Sequence, residues 1–309
     1  MAEQPARRAP KAREAQVVST EWLTPHMVRV VLGGDGPAGL EAGEFTDHYI
    51  KLLFAANGVT YPEPFDMERI RAEFPRDQWP TTRTYTVRAW DPDAGELTVD
   101  FVVHGDEGLA GPWAARVRPG ETVRFLGPGG SYAPDPAADW HLLAGDESAL
   151  PAIAASLERL PAGAPVHAFV EISGPEEEQK VTTPDGIGIT WLHRGDRPVG
   201  EALVAAVREL EFPAGDVHAF VHGEAGFVRD LRRHLRLERN VPRERLSASG
   251  YWRLGQSDEA WRAVKREWNE QVEREQETRE QEAREQETRE QEAREQETRE
   301  QEAREQKVS

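Results

Sequence analysis

Near Asp139 the chain changes rhythm, and that change limits the possible folds more than any other feature of the sequence. Upstream, Val17-Val18, Met27–Leu32, Tyr49–Phe54, Arg83–Ala89, Leu97–Val103 and Thr122–Leu126 are short runs rich in β-branched and aromatic residues, parted by Gly, Pro and Asp clusters. Strands of this length and spacing predict a small antiparallel barrel. One helix, Pro112–Val117, is expected among them, just before the Pro119-Gly120 turn. Downstream, strand-like runs at His141–Ala144, Val166–Glu171, Ile189–Leu192 and Val217–Val221 alternate with helical runs at Ser148–Leu160, Val199–Leu210 and Ala225–Leu237. That alternation predicts a parallel sheet covered by helices. Such sheets take ligands beyond the carboxyl ends of their strands, so the turns of interest are Gly145–Ser148, Glu171–Gly174 and Gly223-Glu224. No Gly-x-Gly-x-x-Gly run follows Asp139, and a nucleotide there needs a looser turn.

Length and composition bound the rest. The 309 residues divide into a disordered start (1–14), a barrel domain (15–134), an α/β domain with a C-terminal helix (139–268) and a charged repeat tail (269–309). From Arg274 onward a five-residue unit, Arg-Glu-Gln-Glu-Thr/Ala, repeats with no apolar stripe. It reads as a solvated helix continuing from the one that contains Trp261 and Val264, or as disorder. There is no cysteine, so thiol chemistry is excluded and any redox step depends on a bound cofactor. A net charge of −18 argues against nucleic-acid binding, and the cluster Arg229, Arg232, Arg233 and Arg236 reads as a solvated helix face. No apolar stretch approaches the roughly 20 residues of a membrane span, and Met1–Arg13 lacks the apolar core of a secretory signal. A cytoplasmic monomer is expected.

The residues that carry chemistry begin with Arg83-Thr84-Tyr85-Thr86. An arginine fork suits a diphosphate, a tyrosine offers a flat face to an aromatic ring, and a threonine hydroxyl reaches a ring nitrogen. On its own the run also fits an ordinary edge strand whose Tyr85 merely packs. Gly105, Gly108 and Gly111 precede the expected short helix, whose free N–H groups suit a diphosphate or merely a Gly-rich connection. His218 and His222 are four apart, but they fall in a β-rich run, so they read as a chance pair and no protein metal site is expected.

Taken in order, Arg83–Thr86, Asp100–Gly105, Gly108–Ala114 with Trp113, Gly145–Ala152 and Gly250–Gly255 resemble the siderophore-interacting proteins, ferric-siderophore reductases among the ferredoxin-reductase-like flavoproteins. The resemblance covers about residues 15 to 268. It implies an antiparallel Greek-key FAD-binding barrel followed by a parallel-sheet domain that binds NAD(P)H. It gives Arg83 to the FAD diphosphate, Tyr85 to the isoalloxazine and Thr86 to flavin N5, the last two being the groups at the reacting ring. Asp100, Val102 and His104 would line the flavin and its ribityl chain, and Gly108, Ala110 and Trp113 the diphosphate loop. That loop departs from the family pattern: Gly108-Leu109-Ala110-Gly111 lacks the usual serine hydroxyl, which leaves more of the contact to backbone N–H groups.

In the second domain the resemblance implies Asp146, Glu147 and Ala149 near the nicotinamide and Glu171 near the adenosine ribose. An acidic residue there favours NADH, while Arg194 would suit a 2′-phosphate; the expectation leans to NADH. Lys51, Arg253 and Lys265 match basic positions of the family and would form a cationic rim for an anionic ferric siderophore. Two other readings stay open: the same domains could reduce a protein or small quinone, with a ferredoxin as an alternative electron donor, or the chain could be a non-enzymatic partner-binding protein.

Overall fold

The computed structural model describes residues 11–40 and 43–275, together with 278, 279, 281 and 289. The first strand, β1 (Arg13–Thr24), turns directly into β2 (Met27–Gly33), and alternation puts Val17, Val28, Val30 and Leu32 on the buried face. The short helix α1 (Asp35–Ala38) leads to β3 (Tyr49–Phe54), and α2 (Met67–Glu73) is started by Asp66, whose carboxylate accepts from the N–H groups of Glu68 and Arg69. Then come β4 (Thr81–Asp91), β5 (Glu96–Val102), α3 (Ala110–Ala114) and β6 (Thr122–Gly129). All pairings are antiparallel, and the order β1-β2-β5-β4-β3-β6 closes where Arg13–Gln16 pair with Thr122–Phe125. Fully buried Leu32, Ile50, Leu52, Val99, Phe101 and Phe125 fill the barrel.

Two expectations change here. Arg13 and Glu14 belong to β1 rather than to a disordered start, since closing the barrel gives their backbone groups a partner on β6; residues 1–10 lie outside the described residues. The expected helix Pro112–Val117 begins earlier, at Ala110, because a proline in the first turn loses no hydrogen bond there.

The second half forms a five-stranded parallel sheet, ordered β11-β10-β7-β8-β9. Its strands are β7 (Trp140–Asp146), β8 (Val166–Ile172), β9 (Thr190–His193), β10 (Val217–Glu224) and β11 (Leu246–Trp252). The helices α4 (Leu150–Arg159), α5 (Glu201–Glu209) and α6 (Ala225–Arg233) connect them, and a last helix, α7, covers 258–275. The chain runs outward from β7 to β9 and then returns to lay β10 on the other side of β7, so the order reverses between β7 and β10. The backbones crowd at that reversal. A Cβ on Gly145 would lie 2.7 Å from the His222 carbonyl oxygen, and Gly223, at φ 137°, would bring one within 2.5 Å of the Phe227 ring. The repeat tail lies almost wholly outside the described residues.

The two halves are bound through α4. Arg88 on β4 makes a two-pronged ion pair with Glu158, and the Thr46 and Ser156 hydroxyls are 2.7 Å apart. Arg159 donates to the Glu44 carbonyl, while Asp47 accepts from the N–H groups of Ser131 (2.8 Å) and Tyr132 (2.9 Å) where the chain leaves the barrel.

Candidate active site

On the barrel side, β4 presents Arg83 and Thr86, both buried, and the half-buried Tyr85. The Tyr85 ring lies 4.3 Å from Phe101, which meets Trp113 edge-on at 5.6 Å. Burial raises the Tyr85 hydroxyl well above its usual range, so it stays protonated. Register sets Tyr49 opposite Thr86 and Lys51 opposite Thr84, so Lys51 and Thr86 share one face, two rungs apart. The Lys51 ammonium stands 5.8 Å from the Tyr49 ring centroid.

The loop after β5 has the form of a cradle. Gly105 (φ 58°) and Gly108 (φ 81°) have left-handed backbones that other residues adopt at a cost, and an added Cβ on either would meet nothing within 4 Å. Gly111 lets α3 approach the end of β5, where a Cβ would be 3.0 Å from the Val102 carbonyl. Ala110 is buried and no side chain caps this turn, so its N–H groups keep their donors. An arginine, open glycines and uncapped N–H groups form a donor set that suits the diphosphate of FAD, and the aromatic surface of Tyr85 suits the ring.

Two assigned residues have other occupations. Asp100 is buried, and each of its carboxylate oxygens accepts from Arg29 on β2, at 2.7 and 2.8 Å. Glu171 is fully buried and accepts from the N–H groups of Gly200 (2.7 Å) and Leu203 (3.1 Å) at the start of α5. It therefore anchors that helix and offers nothing to a ribose. Both pairings meet needs of neighbours, a half-buried arginine and a glycine-started helix, which the sequence run does not display.

Asp146 is likewise fully buried, a hub that accepts from Ser148 N–H (3.0 Å) and hydroxyl (2.5 Å), Glu224 N–H (2.9 Å) and Trp252 Nε1 (2.8 Å). Burial, then the Glu147 charge, push its carboxyl up to about 6. It thus joins the ends of β7, β10 and β11, and Ala149 packs beneath it with no exposure. Glu147, by contrast, faces outward into a cleft of ≈160 Å³ between the domains. There Val102 and His104 of the barrel meet Glu147, Ser173 and Arg194 of the sheet. Arg194 is held by Glu147 at 3.0 Å and Glu171 at 3.4 Å, and burial lowers the His104 pKa, favouring neutral imidazole. Glu177 closes the rim by accepting from the Thr24 hydroxyl (2.5 Å) and lying 2.6 Å from His26 Nδ1.

Lys265 lies half-buried with its Nζ 3.5 Å from Ser249 Oγ, and burial lowers its pKa; Arg253 keeps a buried Nη1 without a hydrogen-bond partner. Beside Lys265, the His222 ring stacks on Phe220 at 3.7 Å and shares a 2.9 Å hydrogen bond with Ser247. Sequence reasoning did not find Glu177, hidden in an acidic run, or the carboxylates of Asp258 and Glu259, which meet Arg83 across the seam. The run Ser257-Asp258-Glu259 is itself a helix-start signal.

A closed antiparallel barrel with a Gly-rich loop after β5, joined to a parallel sheet with a cleft at its carboxyl ends, defines a two-domain flavoprotein reductase. The Siderophore-interacting FAD-binding domain model matches residues 16–132, and the Siderophore-interacting protein model matches 138–255. The chain belongs to the siderophore-interacting protein family, with FAD as cofactor and NAD(P)H as electron donor. It is 34% identical over 249 residues to the ferric vibriobactin reductase ViuB of Vibrio cholerae, covering 79% of this chain and 90% of that one. It is 31% identical over 245 residues to the NADPH-dependent ferric-chelate reductase of Escherichia coli, covering 78% and 92%. Among solved structures, a siderophore utilization protein from T. fusca is 40% identical with a TM-score of 0.69, covering 80% of this chain and 95% of that one.

Proposed function

We propose that this protein reduces ferric siderophores with electrons from NAD(P)H, releasing iron(II) in the cytoplasm. The observation that carries this reading is the interdomain cleft, where His104 and Val102 of the cofactor-binding barrel face Glu147 and Arg194 of the nucleotide domain. The relatives from V. cholerae and E. coli are named for ferric vibriobactin and ferric chelates, which supports the substrate class. FAD, when bound, would supply the chemistry: hydride acceptance from the nicotinamide and single-electron delivery to iron(III).

The chain's own residues hold and orient. Arg83 and the loop around Gly108, Ala110 and Trp113 would hold the diphosphate, Tyr85 would face the ring system, and Thr86 would offer its hydroxyl to the reacting edge. Glu147 and His104 flank the nicotinamide, while buried Asp146 and Ala149 fix the turn that carries Glu147. Lys51, on the Thr86 face of the barrel, attracts an anionic siderophore, and Arg253, just past β11, and Lys265, on α7, add positive charge. Oxygen-rich chelators that grip iron(III) hold iron(II) poorly, so electron transfer is enough to release the metal.

For the donor, Arg194 is already neutralised by two carboxylates, Glu147 and Glu171, which disfavours a 2′-phosphate beside it and favours NADH. Anaerobic spectra test the whole reading. Oxidised flavin should bleach with NADH faster than with NADPH and recover on addition of a ferric catecholate as a chromophoric chelator captures iron(II). Recovery with a quinone but not with the ferric chelate would replace the substrate class.

A further inference from the structure

Arg83 is the residue that the proposed function gives to the FAD diphosphate, yet in this structure its guanidinium is occupied. One Nη1 hydrogen goes to the Thr82 carbonyl at 3.1 Å, Asp258 Oδ2 lies 3.2 Å from the same nitrogen, and Glu259 accepts from Nη2. Both carboxylates stand in the first turn of α7, which belongs to the other domain. Arg262 of the same helix lies 3.7 Å from Asp258 and donates to the Thr82 carbonyl. Two guanidinium groups and two carboxylates thus offset one another, with the half-buried Lys265 close enough to feel the charges of Asp258 and Arg262.

We propose that Glu259 is an exchangeable occupant of the diphosphate subsite, balancing Arg83 in the flavin-free protein and yielding to the cofactor when it binds. The inference rests on Arg83 being the diphosphate residue. The Arg83 side chain is only 10% exposed, so it needs a countercharge whether or not FAD is present. A diphosphate arriving at an already balanced cluster would leave it strongly negative, and one carboxylate must move away. Glu259 is the one free to do so: its side chain is 59% exposed against 36% for Asp258, and water can solvate it once released.

Nothing else requires Glu259 to stay. Ser257 starts α7, its hydroxyl accepting from Ala260 N–H at 3.2 Å. The helix is anchored by buried Trp261 and Val272, and by Glu273, which pairs with Arg232 and Arg243. Exchange therefore needs only a side-chain rotation, with α7 remaining in place. Cofactor affinity is then set partly by a residue of the nucleotide domain, and the seam loses one of its ion pairs when FAD is loaded.

The test is FAD dissociation constants, from flavin fluorescence, for the full chain and for Glu259→Gln, Arg83→Ala and the double variant, at low and at 0.5 M salt. Glu259→Gln should tighten FAD by about three- to fivefold at low salt, as expected for losing an exposed competing ion pair, with the gain shrinking at high salt. Arg83→Ala should weaken FAD, and adding Glu259→Gln to it should change nothing. Weaker or unchanged binding in Glu259→Gln, with Arg83→Ala still weak, overturns the exchange and leaves Arg83 as the diphosphate residue. Unchanged binding in Arg83→Ala overturns both. A tightening of equal size in the Arg83→Ala background would make it a general charge effect and also overturn the exchange.

Discussion

His222 should make this protein lose stability on mild acidification, and the loss can be calculated. Its ring is 4% exposed, stacked on Phe220 and bonded to Ser247, and burial, followed by the nearby Lys265 charge, pushes its pKa down to about 3. In the unfolded chain a histidine titrates near 6.5. Below that value the unfolded chain takes up a proton that the fold refuses. The stabilising contribution is therefore complete above pH 6.5 and declines as pH falls towards 3. At pH 5 the gap amounts to about 2 kcal/mol, or roughly 3–4 °C in Tm for a protein of this size. Thermal melts at pH 7 and pH 5 should be compared for the native chain and for His222→Gln, which can keep a hydrogen bond to Ser247 but does not titrate. The variant should lose less Tm on acidification, by that amount. Lys265→Met, which removes the second cause, should narrow the difference in part. Equal pH slopes in the native chain and His222→Gln would refute the argument, because carboxylates and the other histidines contribute alike to both.

Gly223→Ala places a Cβ at φ 137° within 2.5 Å of Phe227 and 2.7 Å of Asp146, and should cost more than about 2 kcal/mol in chemical denaturation; a loss under 0.5 kcal/mol would mean that the β7/β10 reversal is not crowded. Glu177→Ala orphans the Thr24 hydroxyl and His26 at the seam, so it should lower stability by about 1–3 kcal/mol and slow flavin reduction by NADH in stopped flow, whereas unchanged values in both would show that the seam does not depend on it. Lys51→Ala should raise the KM for an anionic ferric siderophore about three- to tenfold at low salt, with the difference fading at 0.5 M salt; a KM unaffected at any salt removes Lys51 from the substrate side.

The sequence shows the two-part architecture because each half obeys a different local period. Tyr49–Phe54 emerges as β3 with the same limits, and the alternation after Asp139 is visible in Leu142, Val170 and Val221. β11 was legible only as the motif Gly250–Gly255, since Leu246–Tyr251 is half-buried and mixes Ser and Ala with apolar residues. At the site, residues identified by side-chain chemistry alone divide by their neighbours. Val102, His104 and Glu147 come together in the interdomain cleft, and Arg83 and Thr86 lie buried on β4. Asp100, Asp146 and Glu171 are taken by Arg29, Trp252 and the start of α5, partners that lie 71, 106 and about 30 residues away. An isolated carboxylate in a sequence does not reveal which distant donor will claim it. The same holds for Asp258 and Glu259, whose arginine is about 175 residues upstream.

The barrel's closing seam bears on how the protein is made. Arg13–Gln16 pair with Thr122–Phe125, so β1, which can pair with β2 at once, waits for roughly 110 further residues before the partner for its other edge exists. In the second sheet β7 meets β8 after about 25 residues, so that unit can begin to form almost as soon as it is synthesised. During that interval β1 carries an open edge and the exposed Trp22 and Val18, which makes the half-synthesised barrel the stage most open to chaperone capture or mispairing. Slowing translation before Thr122 should therefore harm the yield of folded protein more than slowing it anywhere after Gly129.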